Sequence, residues 1–287
     1  MSVSNVAKRR GTILDEIMAY HREQLPKRKR EIALEDLRAF TSVATPPLDF
    51  YAALRAPGVS LIAECKKASP SKGLMVPDYD PIALATTYVR AGASAISVLT
   101  DARHFQGSLD DLRNVKEATA SLRTPSGVSK GVPILRKDFI FDPYQVYEAR
   151  VAGADALLLI AAVLEDGELK NLLSLTQRLK MEALVEVHTE EELERVIALG
   201  ARIIGVNNRN LQTFEVDFEN TARLRRLMPA DVITVGESGL KTTSDVEQMR
   251  DIGVDAVLVG ETLVKSRDIY ATANSFVKAG KPLLAAG

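Results

Sequence analysis

Cysteine is almost absent from this chain of 287 residues, and histidine is scarce: one thiol, Cys65, and three imidazoles, His21, His104 and His188. A single cysteine excludes an intrachain disulfide and any multi-cysteine metal centre, and it suits a reducing compartment. Cys65 reads as a small buried hydrophobe. The histidines show no metal-ligand spacing and read as polar or surface groups. No apolar run reaches the roughly 18 to 20 residues needed to span a bilayer, and residues 1–30 are basic without the apolar core and cleavage site of a secretory signal. A cytoplasmic protein with no membrane partner is the expectation. A formal net charge of -1 gives no global attraction for nucleic acid or an anionic surface, so any anion binding must be local. The dinucleotide fingerprint GxGxxG is missing too.

What is present divides at residue 58. Residues 1–58 are rich in charge, as in KRR at 8–10 and PKRKR at 26–30, with Ile13, Ile17 and Met18, then Leu34, Leu37 and Phe40, at helical spacing. Glu23, Glu31 and Glu35 interrupt or adjoin the basic cluster, which reads as a solvated face. From residue 59 come eight short apolar runs, VSLIAE, ASAISVL, VPILRK, ADALLLIA, EALVEV, RIIGVN, VITVGE and DAVLVG, separated mostly by helical periodicity. Continuous Val/Ile/Leu runs alternating with amphipathic stretches signal parallel strands buried on both faces. Glycines 92, 153, 200 and 253 each precede such a run in a weak repeat, as expected where a helix must stop and turn back into a strand. Eight βα units in a chain of this length predict a (β/α)8 TIM barrel over 59–287, with 1–58 as an N-terminal helical extension packed on it.

In such barrels chemistry sits where the strands end. Here those ends are consistently polar: Glu64 and Lys66 after the first run, Lys137 after the third, Glu186 after the fifth, Asn207 and Arg209 after the sixth, Glu237 and Ser238 after the seventh. Residues two apart on a strand share a face, so Glu64 joins Lys66 and Lys137 joins Phe139. Acids and bases in one dry pocket shift each other's pKa, and this is expected to make a lysine or a glutamate usable near neutral pH. GESGL at 236–240 and VGETL at 259–263 are glycine turns after the seventh and eighth runs, a common position for phosphate. The stretch KASPSKGLMVPDYDP after Lys66 is too long for an ordinary βα connection and is a candidate lid. These features alone indicate a barrel enzyme for a small, phosphorylated, anionic substrate.

AECKKASPSKG (63–73), LRKDFI (135–140), EVH (186–188), GVNNRNL (205–211), GESGL and VGETL, in this order, resemble the indole-3-glycerol-phosphate synthases across essentially the whole barrel. The resemblance implies a carboxy-lyase of tryptophan biosynthesis. It closes the ring of 1-(2-carboxyphenylamino)-1-deoxyribulose 5-phosphate to indole-3-glycerol phosphate without a cofactor, and no obligate protein partner is evident. It further implies Lys137 as general acid, Glu186 as proton acceptor in the dehydration, and Lys66 as a second acid or an electrostatic clamp. Glu64, Asn207, Glu237 and Ser238 would orient substrate and catalytic groups. Gly239, Gly260 and Glu261 would offer backbone amides to phosphate, with Arg209 and Ser69 near anionic or hydroxyl groups. Pro70, Phe105, Phe139, Leu158, Leu211 and Leu258 would form an apolar slot for the arene. Glu261 stands where relatives carry serine, so its negative side chain must turn away. Two other readings compete: a phosphoribosylanthranilate isomerase, which would need a cysteine and an aspartate as acid and base, and a silent barrel scaffold using the charged extension.

Overall fold

The computed structural model describes residues 12–123, 131–209 and 215–282. Eight parallel strands form a closed barrel: β1 (Ser60–Cys65), β2 (Ala95–Leu99), β3 (Ile134–Lys137), β4 (Ala156–Ile160), β5 (Glu182–Val187), β6 (Ile203–Asn207), β7 (Ile233–Glu237) and β8 (Ala256–Val259). Each pairs with its sequence neighbours, and β1 closes the ring against β8, with Ile62 opposite Leu258. These are the eight apolar runs of the sequence. The four repeated glycines, 92, 153, 200 and 253, have φ of 103°, 91°, 83° and 86°, the left-handed conformation that side chains resist. No described helix is long and apolar enough to cross a membrane.

Strand alternation makes two cores. Leu61, Ala63 and Cys65 of β1 face outward with Val185, Ile204 and Val257 into the layer beneath the helices. Ile62, Leu135, Leu184, Ile203, Ile233 and Val235 face inward and fill the barrel. Cys65 is thus a buried member of the outer layer, and burial pushes its thiol pKa well up.

Before β1 run three helices, α1 (Ile13–Glu31), α2 (Leu34–Val43) and α3 (Phe50–Leu54). Packing crosses the change of texture at residue 58. Phe50 and Leu54 of α3 are fully buried in the inner core, and Leu25 of α1 and Leu37 of α2 bury against Tyr144. A Thr12 cap with a reciprocal bond to Asp15 starts α1. Its first turns lie over the end of the barrel where the strands finish, as the side chains lining the mouth show. The basic run at its end is mostly solvated, though Lys29 reaches Asp142 at 2.8 Å.

Candidate active site

A cavity of about 840 Å³ opens at the C-terminal ends of the strands. All the candidates named from sequence line it except Leu211, which lies outside the described residues. Inward alternation places Glu64, Lys137, Glu186, Asn207 and Glu237 in one polar layer above the apolar interior, and the parallel register sets Asn207 beside Glu237. The sequence did not reveal that α1 roofs this mouth with Ile13, Leu14 and Ile17, or that Lys72, Lys241 and Lys265 stand around it. Periodicity marked Ile13 and Ile17 as helical without saying what that face covers.

At the centre, the Lys137 Nζ stands 3.4 Å from Glu186 Oε2 and 3.4 Å from Glu237 Oε2. Asn207 Nδ2 donates to Glu186 Oε1 at 3.1 Å, and its own Oδ1 accepts the Arg209 amide at 3.0 Å. Lys66 Nζ pairs with Glu64 Oε1 at 2.5 Å. Burial works against the Lys137 charge, but Glu237, Glu186 and Glu64 outweigh it and hold the ammonium well above its ordinary pKa. Of the lysine or glutamate expected to be brought near neutrality, Lys137 is therefore not the one. Burial also opposes the Glu186 charge, yet Lys137, His188 and Asn207 keep that carboxyl below its ordinary value.

Glu237 behaves oppositely. Burial raises it, Lys137 only partly offsets this, and repulsion from Glu186 and Glu64 adds to it, so its pKa rises from 4.5 to about 7. Its Oε1 is buried without a hydrogen-bond partner and lies against Gly205, where a Cβ would collide with it. The folded state therefore holds this proton more tightly than the unfolded chain. The resulting stabilisation is complete below pH 4.5 and is lost as pH rises through about 7. Glu237→Gln, which fixes the neutral form, is expected to gain stability relative to wild type across that window, by up to about 1.4 kcal/mol per pH unit. Urea unfolding at a series of pH values measures this, and a difference that does not vary with pH contradicts it.

One flank of the cavity is apolar. Phe105 and Phe139 tilt together with ring centroids 6.2 Å apart, beside Pro70, Leu158 and Leu258. His21 is buried here: its Nε2 is 2.7 Å from Asp101 Oδ2, which also meets His104 Nδ1 at 3.0 Å. Asp101 Oδ1 accepts the Phe105 amide at 3.0 Å, so one carboxylate ties α1 and the Phe105 loop to the end of β2. Burial opposes its charge, but these hydrogen bonds hold it well below the usual carboxylate range. The three groups bring ligand-type atoms within 4.8 Å, a proximity that linear spacing hid. Hydrogen bonding to Asp101 accounts for the arrangement.

The opposite flank is formed by the turns that follow β7 and β8. Ser238 and Gly239 have φ of 67° and 88°, a turn that costs a serine about 1 kcal/mol or more. Gly260 caps the short helix Glu261–Val264, whose first amides have no intrahelical acceptor. A Cβ on Gly260 would strike Glu64 Oε1. Glu261 points to Lys265 at 2.7 Å. The candidate lid is an ordered hairpin, Ala68–Ser69 pairing with Gly73–Leu74, that presents Ser69, Pro70 and Lys72 to the cavity. Asn208, unremarked in the sequence, donates to the Glu237 carbonyl at 3.0 Å and accepts from Thr221 at 2.6 Å, fixing the end of β7.

The family model for indole-3-glycerol phosphate synthase matches residues 14–276. The chain belongs to the indole-3-glycerol phosphate synthase family. Among relatives of that name, the protein of Roseiflexus sp. (strain RS-1) is 51% identical over 261 residues, covering 90% of this chain and 95% of its own. That of Dehalococcoides mccartyi (strain ATCC BAA-2100 / JCM 16839 / KCTC 5957 / BAV1) is 50% identical over 260 residues, covering 90% and 97%. That of Mycobacterium ulcerans (strain Agy99) is 47% identical over 270 residues, covering 94% and 95%. Among solved structures, 3-hexulose-6-phosphate synthase from Salmonella typhimurium has a TM-score of 0.59 at 12% identity, covering 77% of this chain and 98% of its own. Thiamine phosphate pyrophosphorylase from Pyrococcus furiosus has a TM-score of 0.58 at 13% identity, covering 80% and 97%. At such identities these two bear on the fold alone, and the synthase family rests on the sequence matches.

Proposed function

We propose that this mouth carries out the synthase reaction on 1-(2-carboxyphenylamino)-1-deoxyribulose 5-phosphate, with Lys137 as the acid and Glu186 as the proton acceptor. The observation that carries it is the Lys137 ammonium bracketed by two carboxylates at 3.4 Å, between an anion cup and an apolar slot. With phosphate at the Gly239 and Gly260 turns and the arene against Phe105 and Phe139, the ketone falls at Lys137. The arene carbon bearing the carboxylate attacks the ketone carbon, and Lys137 protonates the oxygen as it becomes an alkoxide, a stronger base than an amine. Loss of carbon dioxide restores aromaticity. The new hydroxyl then leaves as water, protonated by an ammonium, while Glu186 takes the proton that completes the indole ring. Lys66, paired with Glu64, is placed to serve as the second acid or to clamp the substrate's carboxylate. Asn207 orients Glu186, and Glu237 and Ser238 shape the pocket between them. The single buried thiol suits a cytoplasmic location.

The test is turnover of the anilino-deoxyribulose substrate, followed by indole absorbance and by carbon dioxide, one released per turnover. An isomerase would yield neither, and a scaffold would consume nothing. Cys65, the acid or base an isomerase would need, faces away from the mouth in the outer layer. Glu261 places a negative charge beside the phosphate cup, and Lys265 draws it aside. Glu261→Ser is expected to lower KM several-fold, about 1 kcal/mol of relieved repulsion, with kcat unchanged. A KM that stays the same or rises places the phosphate elsewhere.

A further inference from the structure

His188 follows β5 and is used by none of the steps above. Two residues beyond Glu186, it shares that residue's side of the strand but stands behind it, outside the cavity lining. Both ring nitrogens are buried without a hydrogen-bond partner. Each instead faces a carboxylate at ion-pair distance: Nε2 lies 3.7 Å from Glu186 Oε1, and Nδ1 lies 3.7 Å from Glu192 Oε2. Glu192 is fixed there because its side chain also accepts the His188 amide at 2.6 Å, in the first turn of the helix Glu190–Ala198, which Thr189 caps. From the helix Phe218–Arg225, Asn220 Nδ2 donates to the His188 carbonyl at 3.2 Å, holding the backbone. Glu237 contributes further negative charge from β7, and Lys137 stands on the far oxygen of Glu186. A ring with two nitrogens, each directed at a different carboxylate, is satisfied electrostatically only as imidazolium.

We propose that His188, anchored by Glu192, is a positioning residue whose imidazolium holds Glu186 as a carboxylate oriented toward the substrate. Burial disfavours the imidazolium, but Glu192, Glu186 and Glu237 outweigh it and raise the pKa above its ordinary value. Glu186 thus has a cation on each oxygen, Lys137 on the cavity side and His188 behind. This inference rests on Glu186 being the proton acceptor.

Because the chain has three histidines, imidazole titrations followed by NMR can be assigned by substitution. His188 is expected to titrate above an ordinary 6.5, and its midpoint to fall by about one unit in Glu186→Gln and in Glu192→Gln, since the coupling is reciprocal. Glu192→Gln keeps a side-chain oxygen that can accept the His188 amide, which protects the helix start. In kinetics, His188→Asn is expected to move the acidic limb of kcat/KM up by about one pH unit with KM within about twofold, and His188→Arg to restore it. A His188 midpoint at or below 6.5 that does not respond to Glu186→Gln overturns the inference. So does an unmoved acidic limb in a folded His188→Asn. If instead Glu186→Gln leaves turnover intact, the acceptor assignment is what fails, and the NMR coupling still reports separately on the pairing.

Discussion

Lys137→Ala is expected to lower kcat by about 10²- to 10⁴-fold, the range for removal of a positioned general acid, with a much smaller change in KM. The loss has two sources. The ketone oxygen loses its proton donor, and Glu186 and Glu237 lose the cation they share at 3.4 Å. With that cation gone the repulsion between them is opposed only by His188 and Asn207 on Glu186, so both carboxyls are pushed up and Glu186 becomes a poorer acceptor. The Lys137→Ala, Glu186→Gln double variant is therefore expected to cost much less than the product of the two single losses. Lys137→Arg keeps the charge without the compact ammonium, and recovers stability more than rate. Steady-state assays on all four proteins, with circular dichroism to confirm folding, measure this. Undiminished turnover in Lys137→Ala removes Lys137 from the mechanism.

Much of this site was legible because a barrel converts linear order into geometry. Each strand end is carried to the same mouth, so the polar residues closing Ser60–Cys65, Ile134–Lys137, Glu182–Val187, Ile203–Asn207 and Ile233–Glu237 had to meet. Alternation even separated Cys65 from Glu64. What remained hidden depends on contacts across the chain. Nothing near Ile13 shows that its helix folds over the mouth, and nothing near His21 shows that it meets Asp101, 80 residues away. Protonation states were hidden for the same reason. Lys137 and Glu237 were equally candidates for titration near neutrality until the number of carboxylates around each was known: three face the lysine, whereas Glu237 has two carboxylates and one ammonium.

Arg136, the neighbour of Lys137, shows how one residue of offset changes a charge from chemistry to architecture. Alternation turns it out of the mouth into the layer between barrel and helices, where its side chain is fully buried. It donates to Asp138 Oδ2 and to the Gln145 carbonyl at 2.8 Å each, to Thr100 Oγ1 at 3.2 Å and to Glu148 at 3.4 Å. Burial opposes its charge, but Asp138 and Glu148 outweigh burial and keep it ionised. Arg136→Leu is expected to cost about 3–5 kcal/mol, because it takes from the buried Asp138 and Glu148 the cation they share and leaves them only Arg28, 3.4 Å from Glu148, and His21, 3.8 Å from Asp138. At roughly 2–4 °C per kcal/mol this is a fall in Tm of about 6–20 °C. Combining it with Asp138→Asn should recover part of the loss, since a neutral amide no longer needs the cation. Asp138 also accepts the Phe139 amide at 2.8 Å, so the single variant is expected to raise KM through the arene slot more than it lowers kcat. Thermal unfolding and steady-state kinetics on the two variants decide it. A loss under about 1 kcal/mol means that the carboxylates find other partners, and that the network is not what fastens this helix layer to the barrel.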